Sequence, residues 1–182
     1  MNIILLSGGS GKRLWPLSND IRSKQFVKIF KNEDGTYESM VQRMYRQIKK
    51  VDKNATITIA TSKTQVSVIH NQLGNKVGIS VEPCRRDTFP AIALAAAYLK
   101  DVKGIDLDEP VIVCPVDPYV NEDYFVALTK LSFQVKKDES NLVLMGIEPT
   151  YPSEKYGYII PIDDLNISNV RFFREKPTED TA

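Results

Sequence analysis

The residues best suited to chemistry begin at the amino end. An apolar run, Ile3-Ile4-Leu5-Leu6, leads straight into Ser7-Gly8-Gly9-Ser10-Gly11-Lys12-Arg13-Leu14, and Lys24 follows soon after. Glycines beyond the carboxyl end of a buried strand let backbone N–H groups approach phosphate oxygens with no Cβ in the way. Two familiar phosphate loops do not fit. A P-loop needs Gly five residues before Gly11 and Ser or Thr after Lys12, where Leu6 and Arg13 stand, and a dinucleotide fingerprint needs Gly or Ala where Leu14 stands. An anion loop and a plain tight turn both remain open. The cations Lys12, Arg13 and Lys24 favour the anion loop, because like charges gathered around a glycine turn repel unless they are solvated or share an anion.

Further candidates lie downstream. Glu82-Pro83-Cys84-Arg85-Arg86-Asp87-Thr88 leaves one apolar run and enters a helix start, where free N–H groups favour anions. The plainer reading is that Asp87 and Thr88 only cap that helix, and both readings can hold together. Asp117 follows Val111-Ile112-Val113-Cys114; a carboxylate there is either a turn residue or a ligand for a hard cation. Glu175-Lys176, taken alone, is a solvated pair at a strand end. His70 has no motif around it and reads as a surface helix residue. No Ser-His-Asp or Cys-His constellation is evident. Cys84 and Cys114 lack metal-site spacing, so two reduced, buried thiols are expected, as in a cytoplasmic protein.

The elements that must position these groups follow from hydrophobic periodicity. Strands are expected at Ile3–Leu6, Ile57–Thr61, Gly78–Val81, Val111–Cys114, Leu142–Ile147, Gly157–Ile160 and Val170–Arg174. Apolar residues from Tyr37 to Ile48 at helical spacing predict an amphipathic helix over 37–50. Further helices are expected over Lys63–Leu73, over Ala91–Leu99 with Thr88 as N-cap, and from an Asn121 cap to about Lys136. Such alternation implies βαβ units, a mostly parallel sheet and helices on both faces.

The chain has 182 residues, which suits one domain spanning 1–182. With 24 basic and 23 acidic residues, no bulk charge draws it to nucleic acid or to an anionic membrane. No apolar stretch approaches a membrane span, and the amino end does not read as a secretory signal. After Glu175 no closing helix is evident, so truncation at the carboxyl end is expected.

Taken together, the motifs are recognisable. Gly8-Gly9-Ser10-Gly11-Lys12-Arg13-Leu14-Trp15-Pro16-Leu17-Ser18 with Lys24-Gln25-Phe26 resembles the signature of sugar-1-phosphate nucleotidyltransferases, and Trp15-Pro16-Leu17-Ser18 with Lys-Gln-Phe points to the mannose-1-phosphate guanylyltransferase branch. Glu82–Ala91, Cys114-Pro115-Val116-Asp117, Gly146–Thr150 with Tyr156-Gly157-Tyr158-Ile159, and Phe173-Arg174-Glu175-Lys176-Pro177 resemble further elements of that family, in family order. The resemblance implies a Rossmann-like, three-layer α/β/α (GT-A-like) fold and transfer from GTP to mannose 1-phosphate. It implies nucleotide binding by Leu6, Gly8, Gly9, Ser10, Gly11, Lys12, Glu82, Arg86, Asp87 and Thr88, and Mg²⁺ on Asp117. Arg13 and Lys24 would hold the triphosphate and leaving pyrophosphate, Lys176 the sugar phosphate, and Gly157 and Glu175 the sugar. Trp15 reads as a plug against the sheet rather than a ligand contact. Lys12 stands where Thr or Ser is usual, Asp87 where Asn is usual, Phe89 where Ala is usual and Pro118 where His is usual. Family members continue beyond residue 182, and that portion supplies a second metal-binding Asp and usually the dimer contacts, which leaves a homodimer open. The alternatives are transfer of another nucleotide, UTP or dTTP, to glucose 1-phosphate, and a non-catalytic nucleotide-binding fragment.

Overall fold

The computed structural model describes residues 1–9, 17–18, 23–137 and 140–181. The chain divides into two compact units, Met1–Val143 and Leu144–Ala182.

The first unit is built on a four-stranded parallel sheet. Its strands are β1 (Asn2–Leu6), β4 (Thr56–Ser62), β5 (Gly78–Glu82) and β6 (Val111–Pro115), in the order β5-β4-β1-β6. Leu6 pairs with Ala60 on one side and with Pro115 on the other, and Ser62 pairs with Glu82. The short strands β2 (Phe30–Lys31) and β3 (Tyr37–Glu38) form a separate antiparallel pair. Among the described residues, helices α1 (Met40–Val51), α2 (Val66–Leu73), α3 (Thr88–Asp101) and α4 (Glu122–Lys137) accompany the strands. On one face of the sheet, Ile4 and Ala60 pack against Ala95 and Leu99 of α3. Strand alternation points Ile3 and Leu5 to the opposite face. They too are fully buried, so both faces are covered. None of the described helices is long and apolar enough to cross a membrane.

The second unit contains one antiparallel hairpin, β7 (Gly157–Pro161) and β8 (Val170–Glu175), with Gly157 opposite Glu175 and a register shift at Ile160/Pro161.

Four expectations need correction. Residues 142–147 form no strand: Leu142 and Ile147 are exposed, and no neighbouring chain pairs with this apolar run. The helix expected over 37–50 starts at Met40. Tyr37 and Glu38 belong to β3, and Ser39 caps α1 through a reciprocal box with Gln42, Gln42 N–H donating to Ser39 Oγ at 3.3 Å and Ser39 N–H to Gln42 Oε1 at 3.1 Å. The N-cap of α3 is Asp87, not Thr88: Asp87 Oδ1 accepts the Thr88 N–H at 2.8 Å and the Thr88 hydroxyl at 3.2 Å. Finally, only Cys114 is buried; Cys84 is exposed in the segment between β5 and α3. Helix α2 and the edges of the remaining strands fall within a few residues of expectation, and His70 is exposed on α2.

The thiols and the α3 cap can each be tested directly. Burial pushes the Cys114 thiol up to about 12, so it stays protonated and inert at pH 8 while Cys84 is accessible. Ellman's reagent is expected to count one fast thiol in the native protein and two after denaturation; two fast native thiols would contradict the packing of β6. Asp87 adopts φ +70° with ψ −166°, a conformation that is essentially confined to glycine. Urea denaturation of Asp87→Ala is therefore expected to show a loss of about 1 kcal/mol or more, against a few tenths for Asp87→Gly.

Candidate functional site

Parallel strands carry their carboxyl ends at one edge, and the registers bring Leu6, Ser62, Glu82 and Pro115 to that edge. After β1 the chain builds outward through β4 to β5, then returns to place β6 on the other side of β1. The order thus reverses between β1 and β6, and ligands of open α/β sheets bind at such a switch point.

A cleft of about 340 Å³ opens there, lined by Leu6, Ser7, Gly8, Gly9, Glu82, Arg85, Asp87, Thr88, Ala91 and Pro115. Six of the expected nucleotide-binding residues, Leu6, Gly8, Gly9, Glu82, Asp87 and Thr88, therefore share one wall system. Arg86 is exposed and does not line the cleft; its neighbour Arg85 does. Sequence reasoning missed Arg85 because two consecutive arginines offer no periodic signal for which one turns inward. Ser10, Gly11, Lys12, Arg13 and Trp15 lie outside the described residues.

Gly8 and Gly9 are both exposed, and neither has a positive φ. Their backbone conformation does not itself demand glycine. A Cβ at Gly8 would come 4.0 Å from Glu82 Oε1, and one at Gly9 would meet nothing within 4 Å. What the two glycines supply is bare backbone facing open space, where phosphate oxygens could approach the amides.

Beneath this surface lies a buried polar network. Ser7 N–H continues the sheet to Ala60 O at 2.9 Å, and Val116 N–H donates to Leu6 O at 3.1 Å. Gln25, 2% exposed, donates from Nε2 to Ser7 O at 3.2 Å and to Ser7 Oγ at 3.1 Å. Gln25 sits in a single 3-10 turn, Lys24–Phe26, whose Phe26 is buried. Anchoring on either side of Lys24 thus directs its side chain, which reaches Asp117 and bonds to Oδ2. The Asp117 segment is held in turn by Arg43 of α1. Its Nη2 donates to Val120 O at 2.8 Å, and its guanidinium lies over the Tyr119 ring at 4.7 Å.

The Lys24 and Asp117 side chains are 42% and 41% exposed. A water-accessible pair of this kind is worth at most about 1 kcal/mol, so each partner can be exchanged for another at little cost. Asp117 offers one hard carboxylate. Among the described residues no group of three or more His, Cys, Asp or Glu could hold a metal ion. Mg²⁺ commonly takes one or two carboxylates and completes its shell from substrate phosphates and water, so the donor set fits that ion only together with a phosphate ligand.

In the second unit, Gly157, Glu175 and Lys176 come together at one end of the hairpin. A Cβ at Gly157 would lie 2.5 Å from Glu175 Oε2. Lys176 N–H donates to Tyr156 O at 3.1 Å, its φ is +43°, and its Nζ lies 3.4 Å from Glu175 Oε1. Both charged side chains are well exposed.

Comparison with known proteins agrees with this architecture. The nucleotidyl transferase family matches residues 2–182. A mannose-1-phosphate guanylyltransferase of Escherichia coli is 34% identical across 98% of this chain and 39% of its own length. The alginate biosynthesis protein AlgA of Pseudomonas fluorescens is 32% identical across 98% of this chain and 37% of its own length. This chain thus spans well under half the length of these relatives. The solved structure of a protein named mannose-1-phosphate geranyltransferase, from Thermus thermophilus, superposes with a TM-score of 0.77 at 25% identity, covering 99% of this chain and 51% of that one. Its Rossmann-like α/β fold is the fold found here. A sheet that reverses order beside a bare glycine backbone, together with this match along almost the whole sequence, establishes that the chain belongs to the nucleotidyl transferase family.

Proposed function

We propose that this chain is the nucleotide-binding part of an enzyme that transfers GMP from GTP to mannose 1-phosphate, yielding GDP-mannose and pyrophosphate. The observation that carries this reading is the bond between Lys24 and Asp117, with Asp117 just after β6 at the carboxyl edge of the sheet from which the Gly8–Gly9 cleft also opens. The activity named for the E. coli relative supports the choice of nucleotide and sugar.

In this reaction an oxygen of the sugar phosphate attacks the α-phosphorus. The bond from that phosphorus to the bridging oxygen breaks, and pyrophosphate leaves with the electron pair. The nucleophile is already an anion, so no general base is needed. Catalysis then consists of positioning and charge neutralisation. The amides of Gly8 and Gly9 receive phosphate oxygens. Lys24, released from Asp117, turns to the triphosphate, where Arg13 joins it. Asp117 would hold Mg²⁺, which supplies neutralisation of the phosphate oxygens when bound. Glu82, Asp87 and Thr88 face the nucleoside, while Glu175 and Lys176 take the sugar hydroxyls and sugar phosphate. The reading assigns the reaction to the cytoplasm.

Three measurements test it. In a panel of GTP, ATP, UTP and dTTP against mannose and glucose 1-phosphates with Mg²⁺, pyrophosphate release is expected to be fastest for GTP with mannose 1-phosphate. A faster rate for UTP or dTTP with glucose 1-phosphate would transfer the assignment to that pair, and GTP-dependent thermal stabilisation without turnover would mark a binding module. Lys24→Ala is expected to lower kcat by about 10²–10³, the usual cost of losing a charge-stabilising donor, with an unchanged circular dichroism spectrum. Gly157→Ala would displace the Glu175 carboxylate; loss of one such hydrogen bond, about 1.4 kcal/mol, is expected to raise KM for the sugar phosphate about tenfold and leave KM for GTP unchanged.

A further inference from the structure

Gln65 belongs to none of the motifs, yet it occupies the centre of the buried network under the cleft. It ends the 3-10 turn Lys63–Gln65 that leads into α2, and it is fully buried. Its Nε2 donates to Ser23 Oγ at 2.8 Å and to Gly9 O at 3.4 Å. Its Oε1 accepts from Thr61 Oγ1 at 2.7 Å and from Ser7 Oγ at 3.5 Å. A primary amide has two N–H donors and two acceptor lone pairs, and here all four are used. Ser23 and Thr61 are fully buried and Ser7 is 1% exposed, so these bonds do not compete with water. Gly9 precedes and Ser23 follows the segment that carries Ser10 to Arg13, and Ser23 adjoins Lys24.

We infer that Gln65 is a positioning residue for phosphate binding: its single side-chain amide ties Gly9 to Ser23, and so sets the Gly8–Gly9 backbone and Lys24 for a polyphosphate. Gln65 touches no substrate itself. Its oxygen is anchored to the end of β4 through Thr61, so Gly9 and Ser23 are referenced to the sheet as well as to each other. The inference rests on the nucleotide-binding reading above. An apolar side chain of similar length at this position fills the space but leaves the Gly9 carbonyl and the Ser23, Thr61 and Ser7 hydroxyls short of partners.

Titration calorimetry of the 182-residue chain with GTP and with inorganic tripolyphosphate tests it. Gln65→Leu is expected to weaken both probes about tenfold, tripolyphosphate as much as GTP, because the loop meets phosphates rather than the base. Ser23→Ala, which removes one of the amide's two acceptors and serves if Gln65→Leu does not fold, is expected to weaken both about threefold. Ile48→Val, a cavity in the remote core of α1, is expected to lower Tm while leaving both Kd values unchanged, which separates loop positioning from general loss of stability. Unaltered Kd values for both probes in Gln65→Leu and Ser23→Ala would overturn the inference alone. An unmodified chain that binds neither probe would overturn the nucleotide reading and this inference with it.

Discussion

The site depends on the parallel, in-register pairing of β1 with β4 on one side and β6 on the other. Hydrogen bonding along both edges of β1 buries Ile3, Ile4 and Leu5 completely and leaves only the carboxyl end of the strand free to turn outward. Several of the groups assigned to nucleotide chemistry in the first unit hang from that edge. Ser7-Gly8-Gly9 continues β1, Asp117 continues β6, and Glu82 ends β5. A change in register by one residue would exchange the side chains packed on the two buried faces of β1 and carry the glycine backbone away from the cleft.

A polar edge beside an apolar core carries a desolvation cost that the structure meets by satisfying hydrogen bonds rather than by avoiding polar residues. Ser7, Ser23, Gln25, Thr61 and Gln65 are all essentially buried. Each would be destabilising if unpaired; joined to one another and to backbone groups, they form a rigid floor under a surface of bare amides. Rigidity below and openness above are what a polyanion site requires, because the donors can then be aimed before the ligand arrives.

The charges above that floor are arranged differently. Lys24 and Asp117 pair in contact with water, where ion pairs are weak. The pair keeps two opposite charges near one another without committing either. Under the proposed function, a polyphosphate that arrives with its own cation would take the lysine and supply the counter-charge for the aspartate in one exchange. In the second unit, Glu175 and Lys176 are likewise exposed and adjacent, so weak, replaceable contacts recur at the hairpin end.

Much of this was legible in the sequence. Strands β1, β4, β5 and β6 were readable as short apolar runs bounded by breakers, α3 from its alanine-rich composition and start signals, and α4 from its Asn121 cap and first-turn acids. Gly8, Gly9, Glu82, Asp87 and Thr88, named from the sequence, line one cleft, and Asp117 follows β6; residue type alone left each open to a plain turn or cap, and the roles proposed for them come from the family resemblance. Tertiary structure decided the rest. Residues 142–147 look like a strand in composition, but a strand exists only where a partner chain supplies hydrogen bonds. Cys84 and Cys114 are identical as letters, and only packing buries one and exposes the other. Asp87 rather than Thr88 caps α3 because the chain turns through a positive φ at that point. Gln65 carries no sequence signal: an amide acquires its role from the four groups that surround it, and residues drawn from β1, β4 and the Lys24 turn become neighbours only when the sheet has formed.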